Sequence, residues 1–327
     1  MALPPLLHNL SLPVIAAPMF TISYPELVIA QCRAGIVGTF PALNARPAAQ
    51  LSDWLDEIRE RLAADGAAAR PGPLAVNQII HASNTRLESD LRVCAAHRVP
   101  ILITSLRAPM RELVDEVHRY GGLVLHDVVS VRHAGKALEA GVDGLILVCA
   151  GAGGHAGTLS PFALLAEVRR LFDGPLVLSG AIGQGAAILA AQAMGADLAY
   201  IGTRFIATRE AQAAPAYKQA LVDAGAADIV YTDHFTGIRG NYLRHSIVAL
   251  GLDPDALPAG GTGAAAVRFD DSRGKAWKDV WGAGQGVGAI DDVPPLAELV
   301  GRMRAEYAAA ARRITALATD VAPLDVT

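Results

Sequence analysis

The sequence predicts a (β/α)8 TIM barrel with an added C-terminal lobe or lid and a closing helix. Three observations predict it. Eight short apolar runs recur along the chain, each followed by a stretch with helical spacing. The runs are apolar on both faces, as strands of a parallel sheet covered by helices must be. The chain has 327 residues, a length that such a barrel commonly fills as one unit.

The elements follow in order. PVIAAPM (13–19) precedes SYPELVIAQCRAG (23–35), where Ser23 reads as the N-cap and Gly35 as the glycine beyond the last turn. IVGTFPAL (36–43) precedes the amphipathic AAQLSDWLDEIRERLAADG (48–66), and PLAVNQII (73–80) precedes TRLESDLRVCAAHR (85–98). VPILITSL (99–106) leads to APMRELVDEVHRYG (108–121), and GLVLHDVV (122–129) to SVRHAGKALEAG. VDGLILVCA (142–150) is followed by a glycine-rich loop and PFALLAEVRRLF. PLVLSGAIG (175–183) leads to QGAAILAAQAMGA, and DLAYIGTRFIAT (197–208) to APAYKQALVDAG. From about Ile229 the rhythm fails. Residues 1–228 with 294–327 are read as the barrel and its closing helix, and 229–293 as a lid over the barrel mouth. Within that lid, Tyr231, His234 and Tyr242 could cap a pocket or form the lobe's own core, and Trp277 and Trp281 read as packing residues.

Composition narrows the function. Lys and Arg total 28 against 32 acidic residues, a net charge of −4 with no basic run, which argues against a nucleic-acid partner. Mean hydropathy is high at +0.32. The uncharged stretch between Asp173 and Asp197 is nevertheless broken by Gly180, Gly183, Gln184, Gly185 and Gln192, so it reads as strand, turn and helix and not as a membrane span. The N-terminus MALPPLLHNLSLPV lacks the basic region and apolar helix of a signal peptide. Cys32, Cys94 and Cys149 cannot all pair and match no zinc spacing, so free thiols, a cytoplasmic location and no metal are expected. Cys149 reads as a small buried strand residue.

In such a barrel the site forms where strands end and loops begin. Those ends carry Ala17-Pro18-Met19, Asn77, His126-Asp127, the glycine loop from Gly151 to Gly157, Ser179-Gly180, and Gly202-Thr203-Arg204. LSGAIGQGAA and YIGTRF close the seventh and eighth strands, where barrels commonly hold a phosphate. Glycine admits backbone N–H groups close to phosphate oxygens there. Arg204 could reach that phosphate or pair with a carboxylate. His81 and His126 could line the cavity or sit hydrogen-bonded in loops, and His133 reads as structural. In the loop CAGAGGHAG (149–157) four of nine residues are glycine and the one acid–base side chain is His155. There is no GxSxG elbow, no GxGxxG after the first strand, and no His-x-His at the first strand end.

The ordered set APM, GGHAG, SGAIG and GTRF, with WGAGQG at 281–286, resembles the nitronate monooxygenases, FMN-dependent barrels formerly called 2-nitropropane dioxygenases. The acidic turn after WGAGQG resembles the family's NADH:quinone reductase branch. The resemblance runs from Pro13 to about Asp292. It implies an FMN phosphate on Gly180, Ala181, Gly202 and Thr203, beside Ser179, and an isoalloxazine ring facing Ala17, Pro18 and Met19. Asn77 would hydrogen-bond to the ring, and Asp127, Ala152, Gly153, Gly154 and Gln285 would lie around it. His155 would project over the ring as the catalytic residue, taking a proton from carbon or holding an anionic substrate. The reaction implied is oxidation of an alkyl nitronate by O2 to a carbonyl compound and nitrite. Related barrels suggest an alternative, an NAD(P)H-dependent flavin reductase acting on a quinone or enoyl thioester. A silent barrel that binds a phosphorylated ligand is a third reading, and a homodimer is compatible with all three. The chain departs from the family's pattern at Val148 and Gly151, where relatives often carry a polar and an acidic residue. Asp127 stands where the reductase branch often has lysine, and a carboxylate there would disfavour a reduced flavin anion. Ala181 replaces a common glycine, which is tolerable only if residue 181 needs no positive φ.

Overall fold

A computed structural model describes residues 3–66, 69–260 and 279–319. Trp277 and most of the glycine-rich stretch after Ala259 lie outside the described residues. The eight apolar runs form β1 (Val14–Ala16), β2 (Gly38–Pro41), β3 (Leu74–Ile80), β4 (Ile101–Leu106), β5 (Leu123–Val128), β6 (Gly144–Val148), β8 (Leu176–Ser179) and β9 (Leu198–Ile201). The additional β7 (Gly154–His155) falls inside the glycine loop. The eight strands pair in parallel in the order β1-β9-β8-β6-β5-β4-β3-β2. A parallel bridge between Ile15 and Val37 joins the two ends and closes the barrel.

Side chains alternate across each strand, so one set fills the barrel and the other packs under helices. Ile15, Ala75, Ile103, Leu125, Ile146, Val177 and Leu198 make the buried interior. Leu102, Val124, Leu145 and Leu178 face outward against the helical shell. That shell comprises α1 (Pro25–Arg33), α2 (Gln50–Ala63), α3 (Leu87–Ala96), α4 (Arg111–Arg119), α5 (Val131–Ala140), α6 (Pro161–Arg169) and α7 (Gly185–Ala193). Pro25 occupies the first turn of α1, where a missing N–H costs nothing, and Tyr24 is its N-cap. Ser23 instead accepts a hydrogen bond from Met19 N, so the expected cap ties down the first strand's loop. Gly35 does end the helix, at φ +78°.

The last two strands stop earlier than their apolar content suggests. β9 ends at Ile201 and the chain turns at once into the short α8 (Thr203–Ile206). The helix α9 (Pro215–Asp223) follows, yet the outer position beside β9 is taken by the C-terminal helix Leu296–Thr319, which packs against α7 and α1. Over the mouth, β10 (Ile229–Thr232) and β11 (Gly240–Leu243) pair antiparallel, and β11 pairs with β7. The helix α10 (Arg244–Ala249) follows β11. No helix among the described residues is long and apolar enough to cross a membrane.

Candidate active site

A cavity of about 590 Å³ opens at the C-terminal ends of the strands. Backbone dominates its β8–β9 side. Ser179 ends β8, Gly180 and Ala181 follow it, and Gly202 and Thr203 follow β9; all five line the cavity. Gly180 has φ +143°, and a Cβ there would stand 2.7 Å from the Ala150 carbonyl, so only glycine fits. Ala181 adopts φ +55°, so the condition under which alanine would replace glycine without strain is not met. Alanine holds this conformation at a cost of about 1 kcal/mol relative to glycine. The Ala181 N–H donates to Gly151 O at 3.3 Å, and the first N–H of α7, at Gly185, donates to Glu306 Oε2 at 2.7 Å. Arg204 is 3% exposed and donates to Asp292 Oδ1 at 2.7 Å, so it pairs with a carboxylate.

The glycine loop crosses this side of the mouth. Its small residues are required first by the chain itself. A Cβ on Gly153 would lie 2.9 Å from Gly284 N and 3.0 Å from Thr203 Oγ1, and Gly151 and Gly154 hold φ +84° and +67°. Gln285 does not line the cavity; its N–H donates to Gly151 O at 2.9 Å and its side chain covers Gly151. Ala152, Gly153 and Gly154 do line it. Asn241 Nδ2 donates to Ala152 O at 2.6 Å, and Gly240 lies opposite His155 in the β7–β11 register.

His155 therefore projects from a strand edge fixed by the lid. Its Nε2 is 3.0 Å from Thr236 Oγ1, and that hydroxyl donates to the Ile238 carbonyl at 2.9 Å. A carbonyl can only accept, so the Thr236 proton is committed there and Nε2–H is the donor, which leaves the basic lone pair on Nδ1. Burial pulls the imidazole pKa down to about 4, so the ring is neutral at physiological pH.

The floor is polar. Asn77 Nδ2 donates to Ser105 Oγ and Ser105 Oγ to Asp127 Oδ2, both at 2.7 Å. Asp127 Oδ1 and the Tyr200 hydroxyl are buried without a hydrogen-bond partner among the described residues, and both residues line the cavity. Burial pushes the Asp127 carboxyl up to about 7, against the Ser105 hydrogen bond that lowers it. Ala17, Pro18 and Met19 form the β1 wall. Val148 completes the floor, and Phe235 and Ile238 of the lid add apolar surface above.

The remaining candidates resolve simply. His126 turns outward to Thr104 at 2.8 Å, and His81 bonds Ser83, neither lining the cavity. His133 does line it. Tyr242 is buried in the lid's small core, Trp281 stacks on Tyr217 at 4.9 Å, and Cys149 is buried. Sequence reasoning missed Ser105, Tyr200 and Thr236. Ser105 shares the inward parity of Asn77 and Asp127, a signal that counting along β4 could have found. Thr236 lies 81 residues from its partner and left no local trace.

Comparison with known proteins follows this geometry. The family model described as nitronate monooxygenase matches residues 40–306. A nitronate monooxygenase of Paraburkholderia phytofirmans is 29% identical over 296 residues, covering 77% of this chain and 79% of that protein. The solved nitroalkane oxidase from Streptomyces ansochromogenes superposes with a TM-score of 0.78 at 26% identity, covering 94% of this chain and 98% of that one. FabK from Thermotoga maritima superposes with a TM-score of 0.76 at 25% identity, covering 95% and 97%. A match of this extent, over most of a (β/α)8 barrel, places the chain in the nitronate monooxygenase family.

Proposed function

We propose that the protein is an FMN-dependent oxidoreductase that oxidises alkyl nitronates with O2 to a carbonyl compound and nitrite. The observation that carries this reading is one cavity that joins a backbone cradle, a polar floor and a neutral histidine. The residues present fit FMN. The glycine turn after β8 and the Gly202-Thr203 start of α8 suit its phosphate. The unpartnered Asp127 Oδ1 and Tyr200 hydroxyl suit the polar atoms of its ring system. FMN, when bound, supplies the electron acceptor that no side chain here can supply.

The chain's own groups do the rest. Ala17, Pro18 and Met19 would wall one side of the ring, and Asn77 would orient it. Thr236 fixes the His155 tautomer, so Nδ1 can take a proton from the carbon beside a nitro group, or face a nitronate already formed. Phe235 and Ile238 of the lid present apolar surface to that position, which would limit water there.

The test is oxygen uptake and nitrite release by the flavin-loaded protein given an alkyl nitronate. His155→Ala should lower the rate with a neutral nitroalkane by about 10²–10⁴-fold while the flavin stays bound. Activity kept in that variant would end the His155 role. Nitronate turnover absent from a flavin-loaded wild type would end the reading.

A further inference from the structure

The cavity floor contains an acid that the proposed reaction does not use. Asn77 Nδ2 can only donate, so Ser105 Oγ accepts from it, and Ser105 donates its single proton to Asp127 Oδ2. One oxygen of Asp127 is thereby fixed as an acceptor. The other, Oδ1, is buried, unpartnered among the described residues, and belongs to a side chain that lines the cavity. A carboxylate in this position would leave charge on an oxygen with no donor, which is the costly arrangement. A carboxylic acid would place its one proton on that oxygen.

We propose that Asp127 meets the bound flavin as a neutral carboxylic acid, donating from Oδ1 into the cavity, and that flavin affinity is thereby linked to pH. The proposal rests on the FMN reading above. It reverses the effect expected of a carboxylate at this place, because a neutral donor supports a reduced flavin anion where a charged oxygen would oppose it. Burial, which pushes this carboxyl up to about 7, acts in the same direction. The other titratable or charged groups lining the cavity are Tyr200, Tyr217, His155, His133, Arg46, Arg204 and Arg239, and the Tyr217 hydroxyl donates to the Gly282 carbonyl. Burial holds the Tyr200 phenol protonated, His155 is neutral, and Arg204 is committed to Asp292. No cation among the described residues pairs with Asp127, so the proton is its compensation.

The sign follows from linkage. If the complex binds the acid form, Asp127 holds its proton more tightly with flavin present than without. Affinity is then flat below the titration of the free protein and falls by up to about tenfold per pH unit above it, until the complex itself titrates. The experiment measures the FMN dissociation constant by flavin fluorescence between about pH 6 and 9 for wild type and Asp127→Asn. The wild type should weaken by about tenfold or more across that range. The asparagine variant keeps a donor that does not titrate, and should not show that loss. The FMN phosphate titrates identically in both and cancels in the comparison.

A second readout needs no variant. The infrared carbonyl band of a protonated carboxyl should gain intensity when FMN is added to wild type near neutral pH. Equal pH slopes in the two proteins, an affinity that rises with pH in the wild type, or no such band would each overturn the proposal while leaving the FMN reading intact. No flavin binding at any pH would overturn both.

Discussion

Ala181 holds a conformation that glycine adopts freely, and it has company. Of the four non-glycine residues with positive φ among the described residues, three, Thr21 (62°), Leu106 (78°) and Ala181 (55°), line the cavity. Backbone strain gathers where a site must hold a shape that local sequence does not favour. Ala181→Gly should relieve more strain than the added chain entropy costs, raising unfolding stability in urea by about 0.5–1 kcal/mol. An unchanged or lower midpoint would show that the surrounding loop had already adapted to alanine. The histidine leads to a second expectation. With its pKa drawn down to about 4 by burial, the imidazole is basic across the neutral range and is lost as a base only as pH falls toward that value. The pH profile of kcat/KM for a neutral nitroalkane should therefore show no His155 limb between about pH 6 and 8. Thr236→Val removes the acceptor for Nε2–H. It should lower kcat by about tenfold and shift the acid limb, which a loss of folding alone would not do. Asn77, Asp127, Gly180 and His155 were legible as polar or glycine residues at strand ends. Ser105 and Tyr200 were not, because each sits in an apolar run and is set apart only by which face of its strand it occupies.

The eight barrel strands were legible because strands buried on both faces read as uninterrupted apolar runs between helical stretches. Their ends were less so. The eighth run reads as strand through Thr208, yet the chain becomes helical at Thr203, because the apolar Phe205 and Ile206 suit a buried helix as well as a strand. The two-residue β7 has no periodicity to detect; it exists because β11 offers it a hydrogen-bonding edge. That edge holds His155 in place, and the buried Asn241 anchors the loop just before it. Asn241→Ala should cost about 1–3 kcal/mol by leaving the Ala152 carbonyl unsatisfied. Because the loop before His155 would loosen, kcat should fall further than the stability loss predicts under conditions where the variant is fully folded. Chemical denaturation and steady-state rates on the same preparation check this.

At the scale of the whole molecule, the barrel is closed twice. The Ile15–Val37 bridge closes the sheet, and the C-terminal helix closes the shell between α7 and α1. An ion cluster ties that helix to the site: Arg204, next to the Gly202-Thr203 turn, pairs with Asp292, which Arg302 also reaches at 2.6 Å. Asp292 is 39% exposed, so its loss costs less than that of a fully buried partner. Asp292→Ala should destabilise by about 1–2 kcal/mol. It should also weaken FMN binding, since Arg204 would be left free to shift beneath Thr203. Thermal unfolding with and without added FMN separates the two effects. The fold class was legible from eight repeats alone. The position of the closing helix was not, since nothing in Leu296–Thr319 marks which groove of the barrel it fills.

The most direct measurement is a visible spectrum of the purified protein under anaerobic conditions, taken before and after adding an alkyl nitronate, NADH or NADPH, and followed by admitting air. The expected result is a bound flavin whose absorption changes with the nitronate, ignores both nucleotides, and recovers in air with release of nitrite. Flavin that bleaches with NADH or NADPH and does not respond to the nitronate, or a protein that binds no flavin, would contradict it.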